Sequence, residues 1–457
     1  MARVIENRTF DELQVGETLN VARHLTPRDA QLLAVLSGLP DCGAWAGPVM
    51  ALLVGAQFPG PGTLPLGLEL NFAVPVAPGD AIEIRLTVRE KRALGVVVLD
   101  CLATDCRGEL AFSGILTVRA PTQKVRLSCG EAPDIRVNDH VRHQQLIDRC
   151  KALAPAVTAV VHPCDGPSLR AALEAAAAGL IAPILVGPEH KIRAVAAAEA
   201  LDISTFPLVA VPHSHAAADA AVALARAGQA EALMKGSLHT DELMHAVVAP
   251  DCGLRTERRI SHVYLFDVAD YPRPLLITDA AINIAPSLAE KADICRNAID
   301  LAHTIGIETP KLAILSAVET VSARMPSTLD AAALCKMADR GQIAGAVLDG
   351  PLAFDNAISP QAAHTKNIVS AVAGQADILL VPDLESGNML AKQLTYFGGA
   401  DGAGIVLGAR VPIILTSRAD PPGTRLASCA IACLVANARR PVEADQRSPV
   451  PSRPTSI

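Results

Sequence analysis

The chain has 457 residues, a formal net charge of −7 and a sequence pI near 6.0. That balance argues against nucleic acid as the main partner, because phosphate-backbone binding needs a basic face. Half of the residues are hydrophobic and only 3% are aromatic, so two or three domains with aliphatic, Ala-rich cores are expected.

The start, "MARVIENRTFDEL", mixes charges early and has no apolar h-region, so it does not read as a signal peptide. Thr26-Pro27 reads as the cap and first residue of a helix running to about Ser37. "AIEIRLTVRE" (81–90) alternates Ile82, Ile84, Leu86 and Val88 with other residues, the pattern of a half-buried strand. "GVVVLDCLAT" (95–104) and "ELAFSGILTV" (109–118) follow as further strands, set off by turns at Gly79-Asp80 and Gly108. Residues 1–120 therefore predict an α+β domain with one helix and a mostly antiparallel sheet. Residues 121–137 show neither period and read as a linker.

The rhythm then changes. "AVTAVVHP" (156–163) precedes the helical "PSLRAALEAAAAG" (167–179), "APILVGP" precedes "EHKIRAVAAAEALD", and "FPLVAVP" precedes "SHAAADAAVALARAG". Alternation continues to about residue 438. Continuous apolar strands separated by helices predict a parallel sheet covered on both faces. The stretch is large enough for two lobes. Residues 439–457, rich in Pro, Arg and Ser, read as a disordered tail. The longest uncharged helical stretch, "ASCAIACLVANA" (427–438), is shorter than the ~20 residues that span a bilayer, so no membrane partner is expected. Eleven cysteines without a CxxC pair read as reduced, buried thiols of a cytoplasmic protein rather than as disulfides or a zinc site.

Open α/β sheets bind ligands beyond the carboxyl ends of their strands. Those exits carry His162, Lys235-Gly236-Ser237, Thr278-Asp279, Ser316, Asp349-Gly350-Pro351, Pro382-Asp383 and Ser417-Arg418, and are expected to converge on one edge. Ser386-Gly387-Asn388 falls at a helix N-terminus, where free N–H groups favour an anion; the plain alternative is that Ser386 only caps the helix. Arg418 beside Ser417 suits a planar oxyanion through bidentate donation, or else forms a surface ion pair with Asp420. Asp355 follows Asp349 by six residues. Arg255, Arg258 and Arg259 form either a solvated face or a grip on nucleotide-like phosphates. His213 and His215 lack a third partner, so no metal is expected. Neither GxGxxG nor a P-loop occurs.

"LMKGSLHTDELMHAVV", "GLRTERRISHVYLFDV", "PLLITDAAINIAPSLAEKADICRNAIDLA", "DGPLAFDNAIS", "VPDLESGNMLAKQL" and "VPIILTSRAD" occur in that order. Over residues 138–438 the chain thereby resembles phosphate acetyl- and butyryltransferases, and "LSAVETVSARMPSTLDA" leans to the butyryl branch. The resemblance implies a two-lobed isocitrate/isopropylmalate-dehydrogenase-like α/β fold with its active site in the cleft. It implies acyl transfer between coenzyme A and inorganic phosphate in a ternary complex, with no permanently bound cofactor and no acyl-enzyme. Ser417 and Arg418 fall on the family's catalytic pair. Asp349 is implied as a further catalytic group. Lys235, Arg259, Ser316, Asp355, Ser386, Gly387 and Asn388 are implied as substrate-binding residues. Where acetyl-branch members carry a catalytic Asp, this chain has Thr424, which leaves Asp420 or Asp349 as the base for the thiol.

"FDELQVGETLNVARHLTPRDAQLLAVLSG", "PGPGTLPLGLELNFAVPVAPGDAIEIRLTVREKR" and "GILTVRAPTQKVR" resemble MaoC-like hydratases of the hot-dog fold over about residues 5–126. That family's Asp and His lie in "LSGD-x-NP-x-H", but here the text is "LSGLPDCGAWAGPVM". Asp41 is the nearby carboxylate and His24 the sole His before the linker. The domain is thus expected to be structural or to dock acyl-CoA. The rival readings are a bifunctional hydratase/phosphate acetyltransferase and a non-catalytic acyl-CoA sensor. Both resemblances imply a homodimer or a higher homo-oligomer.

Overall fold

The computed structural model describes residues 3–24, 26, 29, 46–74, 81–129, 141–269, 271–415 and 420–440. The chain divides into two compact units, Met1–Asp139 and His140–Ile457.

The first unit holds β1 (Arg3–Glu6), β2 (Thr18–His24), β3 (Leu64–Phe72), β4 (Ala81–Arg92), β5 (Val96–Asp105), β6 (Leu110–Arg119) and β7 (Arg126–Cys129). Five of them form an antiparallel sheet in the order β2-β4-β5-β6-β3. The period-two pattern of β4 is realised: Ile82, Ile84, Leu86 and Val88 are buried between more exposed neighbours. At Thr26 the expected cap forms, with Oγ1 accepting from the Asp29 N–H at 3.1 Å, while the helix expected after it falls largely outside the described residues. A helix that the sequence reading lacked spans Ala46–Ala56. It buries Ala46, Met50, Leu53 and Val54 at helical spacing, in one apolar cluster with Ile84, Leu99 and Leu116 of the sheet. Part of the expected linker is also ordered: β7 pairs antiparallel with β1, Arg126 opposite Glu6.

The second unit holds β8 (Ala156–Val161), β9 (Ile181–Gly187), β10 (Leu208–Ala210), β11 (Ala232–Lys235), β12 (Ser261–Asp267), β13 (Leu275–Thr278), β14 (Lys311–Leu315), β15 (Val347–Leu352), β16 (Ile378–Leu380), β17 (Asp401–Leu407) and β18 (Ile413–Ile414). They form one sheet in the order β10-β9-β8-β11-β18-β17-β12-β13-β16-β14-β15. The parallel expectation holds within each half but not across the centre. β17 and β12 pair antiparallel with each other and with their outer neighbours β18 and β13. The two parallel halves consequently run in opposite directions.

Register shows where they meet. One row of paired residues passes through Val160, Met234, Ile414, Ile405, Val263, Thr278, Leu380 and Ile314. In β8, β11, β18, β13, β16 and β14 that row falls on the last residue of the strand or the one before it. The carboxyl ends of both halves therefore abut along a central line, leaving it in opposite directions. The exits meet at this line rather than at one edge.

Side chains alternate between faces along a strand. On the first face Met234, Ile414, Ile405, Val263, Leu380 and Ile314 belong to a single apolar cluster running through both halves. The second face carries two separate clusters. One contains Leu233, Val406 and Ile413; the other contains Phe266, Ile277 and Leu379. Arg439 ends the last helix, Pro422–Arg439, and Arg440 pairs with Glu231, so the expected tail is ordered at its start. Residues 441–457 lie outside the described residues. No helix among the described residues is long and apolar enough to cross a membrane.

Candidate active site

The turn after β13 organises one side of the central row. Asp279 is buried, and its Oδ1 accepts the N–H groups of Ala281 and Ile282 at 2.9 and 3.0 Å. Its Oδ2 accepts the Asn283 N–H at 3.2 Å and the Asn283 side-chain amide at 2.6 Å. Asn283 Oδ1 in turn accepts Arg259 Nε at 2.6 Å. Arg259 also pairs with Glu290 at 3.0 Å. Glu290 is itself fixed by a capping box with Ser287, a signature legible as Ser-x-x-Glu at 287–290. A polar chain, Glu290–Arg259–Asn283–Asp279, thus runs from a helix start to the end of β13.

Ser386, Gly387 and Asn388 pack on this turn. The helix Leu384–Tyr396 is capped by Asp383, so these residues lie inside its first turns rather than at its open end. The Ser386 N–H donates to Asp383 Oδ1 at 2.9 Å and the Ser386 hydroxyl donates to the same oxygen at 2.7 Å. The Gly387 N–H donates to the Asp383 carbonyl at 3.2 Å. The expected free anion donors are therefore already engaged, because Asp383, three residues before Ser386, takes the cap. Gly387 brings the helix backbone close to the Asp279 carbonyl, 2.7 Å from where a Cβ on it would stand. The Asn388 amide donates to the Ala280 carbonyl at 3.2 Å.

Arg255, Arg258 and Arg259 line a cavity of about 500 Å³ together with Met244, Ile282 and Glu290. All three arginines are exposed, and Arg258 also pairs with Asp300.

Other expected residues lie elsewhere. Ser316 is buried two strands away, bonded through its hydroxyl to Ser327 at 2.8 Å. Asp349 sits inside the outermost strand β15, not beyond its end, and accepts the Gly350 N–H at 2.8 Å. Asp355 is exposed, 3.9 Å from Lys366. Lys235 ends β11 in the other half of the sheet, on the same face as Leu233. Near it the Ser237 hydroxyl donates to the His162 carbonyl at 2.8 Å, and burial holds the His162 imidazole below its usual pKa, helped by Lys191. His213 proves to be a helix cap, its Nδ1 accepting the Ala216 N–H at 3.2 Å. Ser417, Arg418 and Asp41 lie outside the described residues. Thr424 is buried in the first turn of the last helix, where its carbonyl accepts the Ser428 hydroxyl at 3.0 Å.

The family model for phosphate acetyl/butaryl transferase matches residues 213–433. A phosphate acetyltransferase of Rhizobium meliloti is 64% identical over 299 residues, 65% of this chain and 95% of that protein. The chain belongs to the phosphate acetyl/butyryltransferase family. A family member named phosphate butyryltransferase, from Clostridium acetobutylicum, is 44% identical over 64% of this chain and 97% of its own length. Identity is thus higher to the acetyl-named member, the reverse of the leaning of residues 315–331. Among solved structures, a branched-chain phosphotransacylase from Enterococcus faecalis matches with 29% identity and a TM-score of 0.55, covering 61% of this chain and 99% of its own.

Within the family motifs, sequence reasoning left out Asn283, His262 and Tyr264. Asp279 and Asn283 were legible as an Asp-x-x-x-Asn turn after a strand. His262 and Tyr264 look like ordinary strand residues, and only the register gives them a place.

Proposed function

We propose that the second unit transfers an acyl group between coenzyme A and inorganic phosphate. The observation that carries this is the 64% identity over 95% of a protein named phosphate acetyltransferase. A phosphate oxygen attacks the thioester carbonyl and forms the C–O bond of an acyl phosphate. The C–S bond breaks, and the departing sulfur takes up a proton. Arg418 binds phosphate through its planar fork and stabilises the carbonyl oxyanion, while Ser417 hydrogen-bonds the sulfur.

The cavity lined by Arg255, Arg258 and Arg259 supports placing the phosphates of coenzyme A there. Lys235 supports a second cation across the central row. For the thiol base, Asp420 is favoured over Asp349. The charge of Asp420 bears on the Tyr264 phenol of β12, whereas β15 stands four strands from β12. Ser316 and Asp355 share the outer margin with Asp349 and support the site least.

The two opposed half-sheets and the divided second face support a reading as two lobes, isocitrate/isopropylmalate-dehydrogenase-like, with a cleft over the central row. For the first unit, an antiparallel sheet with one helix packed on it supports a hot-dog domain that dimerises or docks acyl-CoA.

The test follows thiol release by the full-length chain from acetyl-CoA, with and without phosphate. Phosphate-dependent release with formation of an acyl phosphate is expected. Binding of acetyl-CoA without release would make the chain a sensing module instead.

A further inference from the structure

Beside the cavity lined by Arg255, Arg258 and Arg259 lies another of about 530 Å³. Four segments build it: the stretch 256–258, the last turn of the helix Leu288–Thr304, the turn 408–410 after β17, and the last turn of the helix Pro422–Arg439. Arg258 lines both cavities, whereas Arg410 and Arg439 line only this one. Its volume lies within the roughly 300–1,000 Å³ of small-molecule sites.

The backbone around it is fixed. Gly408 takes a φ of +85°, in the left-handed region, and a Cβ on it would stand 2.4 Å from the Arg259 carbonyl oxygen. The Thr256 hydroxyl donates to the Gly408 carbonyl at 2.6 Å, and the Arg410 N–H donates to the Leu254 carbonyl at 2.9 Å. The turn that carries Arg410 is thus pressed onto the segment before β12. Leu301, Leu407 and Val435 give the cavity an apolar side, continuous with the cluster on the first face of the sheet.

Its charges do not balance. Five charged side chains line it: Glu257, Arg258, Asp300, Arg410 and Arg439. Asp300 is taken by Arg258. Arg439 spends Nη1 on the Ala409 and Arg410 carbonyls, at 3.3 and 2.9 Å, and has no carboxylate partner among the described residues. Desolvation draws its pKa below the usual value, against the pull of Asp300 and with the like charge of Arg258. The Arg410 side chain has no hydrogen-bond or ion-pair partner among the described residues. Glu257 is the one carboxylate of the lining left to oppose these two guanidiniums.

Two helix C-termini face the cavity, and their dipoles oppose an anion. Arg149 offsets the first by donating to the carbonyls of Ile305 and, at 3.2 Å, Thr304. Arg439 itself occupies the last turn of the second. Guanidinium forks bind phosphate bidentately, and a phosphate monoester carries more than one negative charge at neutral pH. An inorganic ion would fill little of the volume and leave the apolar side unused.

We propose that this cavity is a second ligand site and takes an organic phosphate monoester: Arg410 and Arg439 hold the phosphate, and the carbon body lies on Leu301, Leu407 and Val435. The site goes beyond the acyl transfer proposed above and does not depend on it.

The experiment is isothermal titration calorimetry on the full-length chain, with CoA in excess to fill the neighbouring cavity. AMP and glucose 6-phosphate are the probes and distinguish a nucleotide from a sugar phosphate; adenosine is the uncharged control. At least one phosphate is expected to bind one-to-one, and adenosine not to bind. Arg410→Glu should weaken that binding by at least about tenfold, the loss expected for a charge-assisted hydrogen bond, and leave KM for acetyl-CoA unchanged. Arg439→Gln should weaken it too. Absence of binding by both phosphates overturns the proposal whatever the variants do. So does adenosine binding as tightly as AMP, an unchanged affinity in Arg410→Glu, or displacement of the probe by CoA. A parallel rise in KM for acetyl-CoA in Arg410→Glu also overturns it, by placing Arg410 in the neighbouring site. A chain that binds a phosphate in this way yet releases no CoA from acetyl-CoA refutes the acyl transfer alone.

Discussion

Gly387 lies so close to Asp279 that a Cβ placed on it would be 2.7 Å from the Asp279 carbonyl oxygen. It would also be 2.7 Å from a methyl of Val381 and 3.2 Å from the Ala280 Cα. Two of these obstacles are backbone and cannot rotate aside. Gly387→Ala is expected to destabilise the protein by about 1–3 kcal/mol through overpacking. Gly423, in the first turn of the last helix, has nothing within 4 Å of such a Cβ. There the same change should be neutral or gain up to about 1 kcal/mol. Urea unfolding of both variants checks the contrast, and equal effects would contradict the packing.

His262 is fully buried, and neither ring nitrogen has a hydrogen-bond partner. Burial pushes its pKa down to about 4, against the opposing pull of Asp279. The unfolded chain holds this group near 6.5, so between about 6.5 and 4 the unfolded state binds the extra proton. Stability must therefore fall as pH falls through that window. Between pH 7 and 5 the loss from this residue is on the order of 2 kcal/mol. The His262→Gln variant should show a correspondingly flatter pH dependence of its urea midpoint. An identical slope in both proteins would remove His262 from the account.

Arg418 is proposed to hold phosphate and the oxyanion. Removing one such donor typically lowers the rate by about 10²–10³. Arg418→Ala should show that loss in kcat, and Arg418→Lys should not recover it, because Lys lacks the bidentate fork. By contrast Arg259→Ala should act mainly on KM for the CoA thioester. Near-normal turnover by Arg418→Ala would sink the assignment.

The first unit is expected to hydrate crotonyl-CoA no faster than buffer. Hydration needs an acid–base pair on water and the enoyl thioester. His24 ends β2 in an exposed position, and the sequence around Asp41 lacks the family's His. Turnover of ~1–10³ per second, lost on Asp41→Asn, would restore a bifunctional enzyme.

Assembly is the fifth expectation. β3 is an edge strand whose Leu64, Leu66, Leu68 and Phe72 are all more than 40% exposed. An exposed apolar edge of that kind is rarely left bare. Light scattering at micromolar concentration should give a homo-oligomer, and a monomeric mass would refute it.

Periodicity carried the architecture well wherever burial alone decided it. β4 reads as a strand because each second residue is apolar, and β8 reads as one because it is apolar throughout. Direction was not legible. β12 and β17 carry the same aliphatic text whether they run parallel or antiparallel, so the reversal at the centre shows only in pairing. The helix Ala46–Ala56 was missed because apolar residues also fill its outer face, which blurs the helical stripe. In the site, Arg259 and Gly387 were legible as residue types that need a partner or a close approach. Their actual partners, Asn283 and the Asp279 carbonyl, depend on contacts across more than twenty positions of sequence. Ser386 was misread because Asp383, three residues earlier, is the stronger cap.

The row where the two half-sheets abut has a mechanical consequence. β12 and β17 extend well to either side of it, as one hydrogen-bonded ribbon of seven pairs. Any change in the spacing of the halves must flex that ribbon, since backbone hydrogen bonds resist sliding. The unbroken apolar cluster on the first face then serves as the spine, and the divided second face is the side that gapes. Such a flexure would leave the Asp279 turn and the helix capped by Asp383 to move as one piece with their own half, because Gly387 and Asn388 pack directly on that turn.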